Sequence, residues 1–238
     1  MSVTELRPNI DHWQQRVELT AALRWTERLN LHEAVANHFS LAVNDDGTQF
    51  LMNPCQKHFS RVKATDLLLL DANDPDTLDR PGAPDPSAWG LHGSVHRRCP
   101  HHRCLMHVHS IHATVLASLA DSNIPPIDQN TATFFNRYVI DNDFGGVAFE
   151  DEGERCAAAL HDPKKKVMIM GNHGILVMGD TVAETYIRAL QTGRPLRVLS
   201  DEIAEKTANE IETFPGAAEN HLAELMLILE DEGSDYAS

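Results

Sequence analysis

Cys104-Leu105-Met106-His107-Val108-His109-Ser110 decides how the rest of the chain is read. The stretch is strand-like, and on a strand successive side chains alternate between faces, so imidazoles two residues apart share one face. Further along, Gly171-Asn172-His173-Gly174 stands between the apolar runs Val167-Met168-Ile169-Met170 and Ile175-Leu176-Val177-Met178. Two short apolar runs parted by glycines predict two strands meeting at a tight bend, which can present His173 to a partner strand. Three neutral imidazoles suit a divalent metal, zinc first and manganese, iron, cobalt or nickel as alternatives. They leave coordination positions open for water or substrate. The chain has 14 histidines, so close pairs arise by chance and a lone His-x-His carries little weight.

Outward from these runs the pattern is α/β. Helical periodicity spans about Asp11 to Asn30. A hairpin is expected around Asn44-Asp45-Asp46-Gly47, between Phe39-Ser40-Leu41-Ala42-Val43 and Gln49-Phe50-Leu51-Met52, with a further strand over Leu67 to Asp71. Arg80-Pro81-Gly82-Ala83-Pro84-Asp85-Pro86 reads as a loop, because each proline blocks regular structure. Helices are expected over Ala88 to His96, Ala113 to Leu119 and Gly153 to Leu160. Thr181 to Glu210 is a longer helical region interrupted at Gly193-Arg194-Pro195. No linker or internal repeat divides the 238 residues. The segment His221 to Leu229 is too apolar for a free tail and should dock on its own domain or on a neighbouring subunit.

Composition restricts the partners. A formal net charge of -15 argues against a nucleic-acid backbone or an anionic membrane surface. The compact basic run Lys164-Lys165-Lys166 reads as a solvated turn. No apolar run approaches the ~20 residues that cross a bilayer. The N-terminus carries no charged-then-apolar secretion signal, so cytoplasmic residence is expected. Cys55, Cys99, Cys104 and Cys156 show neither Cys-x-x-Cys spacing nor a disulfide framework and read as packing residues. His92 and His96 stand four apart on one helix face, but no Glu sits between them as in His-Glu-x-x-His, which excludes that peptidase arrangement.

In order along the chain, Asn37-His38-Phe39-Ser40, Phe50-Leu51-Met52-Asn53-Pro54, Ala64-Thr65-Asp66-Leu67-Leu68, Ser87-Ala88-Trp89-Gly90-Leu91-His92, the His107/His109 stretch and Asn172-His173-Gly174 resemble the class II aldolase and adducin head-domain family, in its adducin-like branch. The resemblance runs from about Leu19 to about Ile203. It implies a three-layer α/β/α sandwich around a mixed, mainly antiparallel sheet. It implies a single such domain over 1–238 with a C-terminal helical extension from about 204. It also implies a divalent metal on His107, His109 and His173, and a homo-oligomer of the family's fourfold type, a tetramer.

The departures bear on chemistry. Sugar-phosphate aldolases of the family place a Glu before the Trp-x-x-His stretch, as general acid or base and as a further metal ligand; here that position is Ala88. They take a proton from a neighbouring subunit's Tyr, and the comparable position after Asp128 is Gln129, an amide that cannot supply one at neutral pH. Their phosphate is held by a Gly-Asn pair and a Ser/Thr-Gly pair, where this chain has Asn37-His38 and Cys55-Gln56. His38, Lys57, His58 and Arg61 could instead meet a carboxylate, or be surface side chains. Candidate catalytic positions are His92, which could equally be a hydrogen-bonded histidine beneath the metal strand, and Gln129; His112, Tyr138 and Asp128 are further proton candidates. The expectation is a metal-dependent lyase that cleaves a carbon–carbon bond, aldol-fashion or by decarboxylation, in a small, non-phosphorylated, carboxylate-bearing substrate. The alternatives are a non-catalytic adducin-like binding or scaffold protein and a redox-metal enzyme whose open position admits dioxygen.

Overall fold

A computed structural model describes residues 10–143, 149–191, 200–212 and 217–238. Its centre is a seven-stranded sheet ordered β3-β2-β1-β4-β7-β6-β5. The strands are β1 (His38–Ala42), β2 (Gln49–Met52), β3 (Leu68–Asp71), β4 (Cys104–Val108), β5 (Tyr138–Asp141), β6 (Val167–Met170) and β7 (Gly174–Gly179). The hairpin expected at Asn44–Gly47 joins β1 to β2, and the apolar runs flanking Asn172-His173 form the antiparallel pair β6–β7. Every pairing is antiparallel except β5 with β6. That one is parallel because a helix, α5 (Phe149–Ala159), carries the chain back between them.

Side-chain alternation divides β4 between two cores. Cys104, Met106 and Val108 enter a cluster with Leu19, Leu23 and Tyr186 from α1 (Trp13–Arg28) and α6 (Val182–Gln191). Leu105 enters the opposite cluster with Leu91 and Val95 from α2 (Pro86–Arg98) and Cys156 and Leu160 at α5. Because both faces are covered, all five residues of β4 are buried, and the stretch reads as apolar without interruption save for the histidine. His107 has the parity of Leu105 and therefore faces the α2 side.

α2 starts where Asp85 caps it, its carboxylate accepting from the backbone N–H groups of Ser87 (3.0 Å) and Ala88 (3.3 Å), with Pro86 in the first turn. α5 begins ahead of the expected Gly153, which is internal to it. There a β-carbon would stand 2.0 Å from the Gly90 carbonyl oxygen, so this glycine marks the closest approach of α2 and α5 rather than a helix boundary. α3 (Ile111–Ala117) follows β4 closely, and α4 (Gln129–Ala132) is a single turn. α7 (Asp201–Glu212) is tied to the start of β5 by the buried Arg137, which donates to Glu205 (3.3 Å) and Glu212 (2.9 Å). The expected interruption at Gly193-Arg194-Pro195 lies outside the described residues.

The C-terminal segment docks on its own chain. α8 (Ala217–Asp231) packs on α1, where the Trp25 indole donates to the Leu225 carbonyl at 2.9 Å. Beyond it Asp235 pairs with Arg24 (2.8 Å) and Lys63 (3.0 Å), and Tyr236 is buried. None of the described helices is long and apolar enough to cross a membrane.

Candidate metal centre

His107 is the last inward-facing residue of β4 but one, and His109 follows just beyond the strand end. His173 arrives on the β6–β7 turn. Asn172 holds that turn in the left-handed region (φ +56°), donating its N–H to the Ala117 carbonyl at 2.8 Å, while His173 N–H reaches the Met170 carbonyl at 3.0 Å. Gly174 then lets β7 pass against β4: a β-carbon there would meet the Val108 carbonyl oxygen at 2.6 Å and His109 Cδ2 at 2.8 Å. The outcome is a cluster in which one ring nitrogen from each of His107, His109 and His173 lies within 4.8 Å of the others. His107 Nε2 is 2.8 Å from His109 Nε2.

The electrostatics keep lone pairs available. Burial, reinforced by His38, His109 and His173, holds His107 well below the usual imidazole range. His109 is also lowered, by burial first, against the opposing effect of Glu33, whose Oε2 lies 2.7 Å from His109 Nδ1. Glu152 Oε1 stands 3.8 Å from His173 Nδ1. His107 is fully buried whereas His109 and His173 are half-buried, so the cluster opens to solvent on one side. Three imidazole nitrogens converging from one side with the other open match the donor set of a divalent transition metal.

Behind the cluster runs a second line of imidazoles. His38 lies opposite His107 in the β1–β4 register, and their rings stack with centroids 4.6 Å apart. His38 Nδ1 meets His92 Nε2 at 2.8 Å; His92 Nδ1 meets Ser40 Oγ at 2.6 Å; Ser40 Oγ also meets His96 Nε2 at 2.8 Å. His92 therefore reaches the cluster through His38. The His92/His96 pair, open to a metal from its spacing alone, is bridged by a serine hydroxyl.

The seven-stranded order, the helices on both faces and the ordered motifs, matched over residues 17–199, settle the family. The chain belongs to the class II aldolase and adducin N-terminal domain family. It is 26% identical over 184 residues to a protein of Streptomyces roseochromogenus subsp. oscitans named 4-hydroxy-3-prenylphenylpyruvate oxygenase/4-hydroxy-3-prenylbenzoate synthase, the match covering 76% of this chain and 65% of that one. It is equally similar, 26% over 184 residues, to the decarboxylase NovR of Streptomyces niveus, covering 76% and 67%. The chain thus spans about two thirds of the length of these relatives. An aldolase II superfamily protein from Pseudomonas syringae shares the fold with a TM-score of 0.78 at 24% identity, covering 95% of this chain and 96% of that one.

Against this class II aldolase frame, Ala88 is buried on Phe50, Met52 and Ala72. Gln129 is the exposed first residue of α4, which packs by α7. Cys55 Sγ lies 3.7 Å from Asp85 Oδ2, and Gln56 takes a left-handed φ of +56° without being glycine. Of the basic residues expected near a substrate carboxylate, His38 is buried, Lys57 pairs with Asp66, His58 meets His32 Nε2 at 3.1 Å and Arg61 is exposed. Tyr138 bonds Asn123 at 3.0 Å and Asp128 caps α4, so both serve loop structure. His112 lines an apolar cavity of about 450 Å³ with Leu116, Ile169 and Ile175; Ile175 belongs to the core on the α1 side of the sheet, away from His107. Cys104 pairs in register with Gly179, at the end of β4 away from the histidines. Sequence reasoning missed Glu33, Glu152 and the Ser40 bridge, which no local spacing marks.

Proposed function

We propose that this protein is a divalent-metal lyase that breaks a carbon–carbon bond in a small, non-phosphorylated, carboxylate-bearing substrate, by aldol cleavage or decarboxylation. The observation that carries the reading is the convergence of the His107, His109 and His173 ring nitrogens within 4.8 Å. A divalent ion held there, zinc being the first candidate, supplies stabilisation of negative charge developing on a substrate oxygen. The chain's own part is to keep His107 neutral by burial, to fix its ring by the His38 stack, and to leave one side open for the substrate. Ala88 moves no proton and binds no ion. The Asp85 carboxylate beside Cys55 places negative charge next to the dipeptide that stands where sugar-phosphate aldolases bind phosphate, which favours a substrate without a phosphate.

A second reading, a redox-metal enzyme that uses dioxygen at the same three histidines, is favoured by the oxygenase name of one relative. The test is elemental analysis of protein purified without added metal, with a His107→Ala/His109→Ala double variant alongside. About one equivalent of metal per chain, absent from the variant, is expected for a three-imidazole site. Screening 2-oxo and 2-hydroxy acids with and without dioxygen then separates the readings, since the lyase turns over in both conditions. Protein that stays folded and takes up no zinc, manganese, iron, cobalt or nickel overturns both and leaves a non-catalytic adducin-like role. Light scattering on the same preparation is expected to give a homotetramer; a monomer at micromolar concentration refutes that assembly.

A further inference from the structure

Glu33 lies on the loop between α1 and β1, and its Oε2 is 2.7 Å from His109 Nδ1. That is the ring nitrogen opposite Nε2, which faces His107. The loop is braced for this contact. Glu33 N–H donates to Asn37 Oδ1 at 2.6 Å and Ala36 N–H to the Glu33 carbonyl at 2.9 Å. Asn53, at the end of β2, secures Asn37 in turn: its Nδ2 donates to the Asn37 carbonyl at 3.2 Å, and its Oδ1 accepts from Phe39 N–H at 2.8 Å. The two asparagines of the family-like motifs thus hold a carboxylate against the cluster from a third element.

An ionised carboxylate only accepts, so a neutral His109 bonded to it carries its proton on Nδ1 and leaves the lone pair of Nε2 directed into the cluster. We propose that Glu33 is a positioning residue that fixes His109 in this tautomer and supplies, from outside the cluster, the negative charge that Ala88 cannot supply. This rests on the three-histidine reading of the metal centre.

The test uses full-length protein carrying Glu33→Ala, Glu33→Gln or Glu33→Asp, with zinc as the probe in chelator competition at pH 8. Nitrogen-15 spectra of the metal-free proteins, assigned with a His109→Gln blank, read the tautomer without any metal. Glu33→Ala is expected to weaken zinc binding by about tenfold to a hundredfold, the range for outer-shell partners of metal-bound histidines. It should also convert His109 from the Nδ1–H form to a mixture. Glu33→Gln, which keeps an acceptor oxygen without charge, should hold the tautomer with a smaller loss, and Glu33→Asp should recover part of the affinity. The thermal midpoint of the metal-free protein should hardly move, because the Glu33 side chain is 62% exposed. Zinc affinity within about twofold of wild type, or an unchanged Nδ1–H signal in Glu33→Ala, overturns the proposal. A wild type that binds none of zinc, manganese, iron, cobalt and nickel overturns the ligand reading instead, and the spectra still decide the tautomer role.

Discussion

Gly174 shows what a single residue contributes to the candidate site. Its missing β-carbon lets Val108 at the end of β4 and His109 just beyond it lie against β7, and any side chain would sit within 3 Å of a backbone oxygen and of the imidazole itself. Gly174→Ala should push His109 out of line or part the two strands. We expect a loss of about 1–3 kcal/mol in unfolding free energy, as in other overpacked sites, and at least about tenfold weaker zinc uptake. Urea unfolding and chelator competition measure the two, and wild-type values in both would show that the strands accommodate the methyl. The three histidines were legible because their signals are local: alternate spacing on one strand, and glycines between two apolar runs. Glu33 was not, being one of 35 acidic residues and reaching His109 across a loop whose path depends on Asn37 and Asn53.

Among the elements, legibility followed the strength of the local pattern. The hairpin β1–β2, the β6–β7 pair and α1 follow from turn residues and apolar period; the body of α2 is expected over Ala88 to His96, but its Asp-Pro start reads with the preceding loop, whereas Asp85 caps the helix and Pro86 opens it. β5 gave no such signal: its four residues are all half-buried, and it exists because α5 returns the chain to pair β6 alongside it. Gly153 suggested a helix start, yet it is the point where α5 presses on Gly90 of α2, a requirement visible only once the two helices are packed. That packing matters for the site, since α2 carries His92 and α5 carries Glu152, so the helices that flank the histidines are held at a fixed separation. The C-terminal helix likewise was readable as docked, whereas its partner, α1, was not. A hydrophobic face says that it will be covered but not by which surface.

At the scale of the whole molecule, the buried imidazoles make stability depend on pH. His38, His92 and His107 are held well below the ordinary value of 6.5, and His96 is lowered to about 3, in each case mainly by burial. His96 is fully buried, and the charges of Arg103 and His102 nearby further oppose its cation. In the unfolded chain these rings protonate near 6.5. Below that value the unfolded state binds more protons, so stability present above it is lost as pH falls, and for His96 the loss continues down to about 3. Each such ring can cost up to about 1.4 kcal/mol per pH unit wherever only the unfolded chain binds its proton. The lowered carboxyl of Asp85 acts below this window, in the range where unfolded carboxylates protonate. Urea unfolding of the metal-free protein between pH 7.5 and 5 should therefore show stability level near neutrality and then falling, with a slope that His96→Gln reduces by about one proton. A stability independent of pH across that range would mean that these histidines protonate within the folded chain.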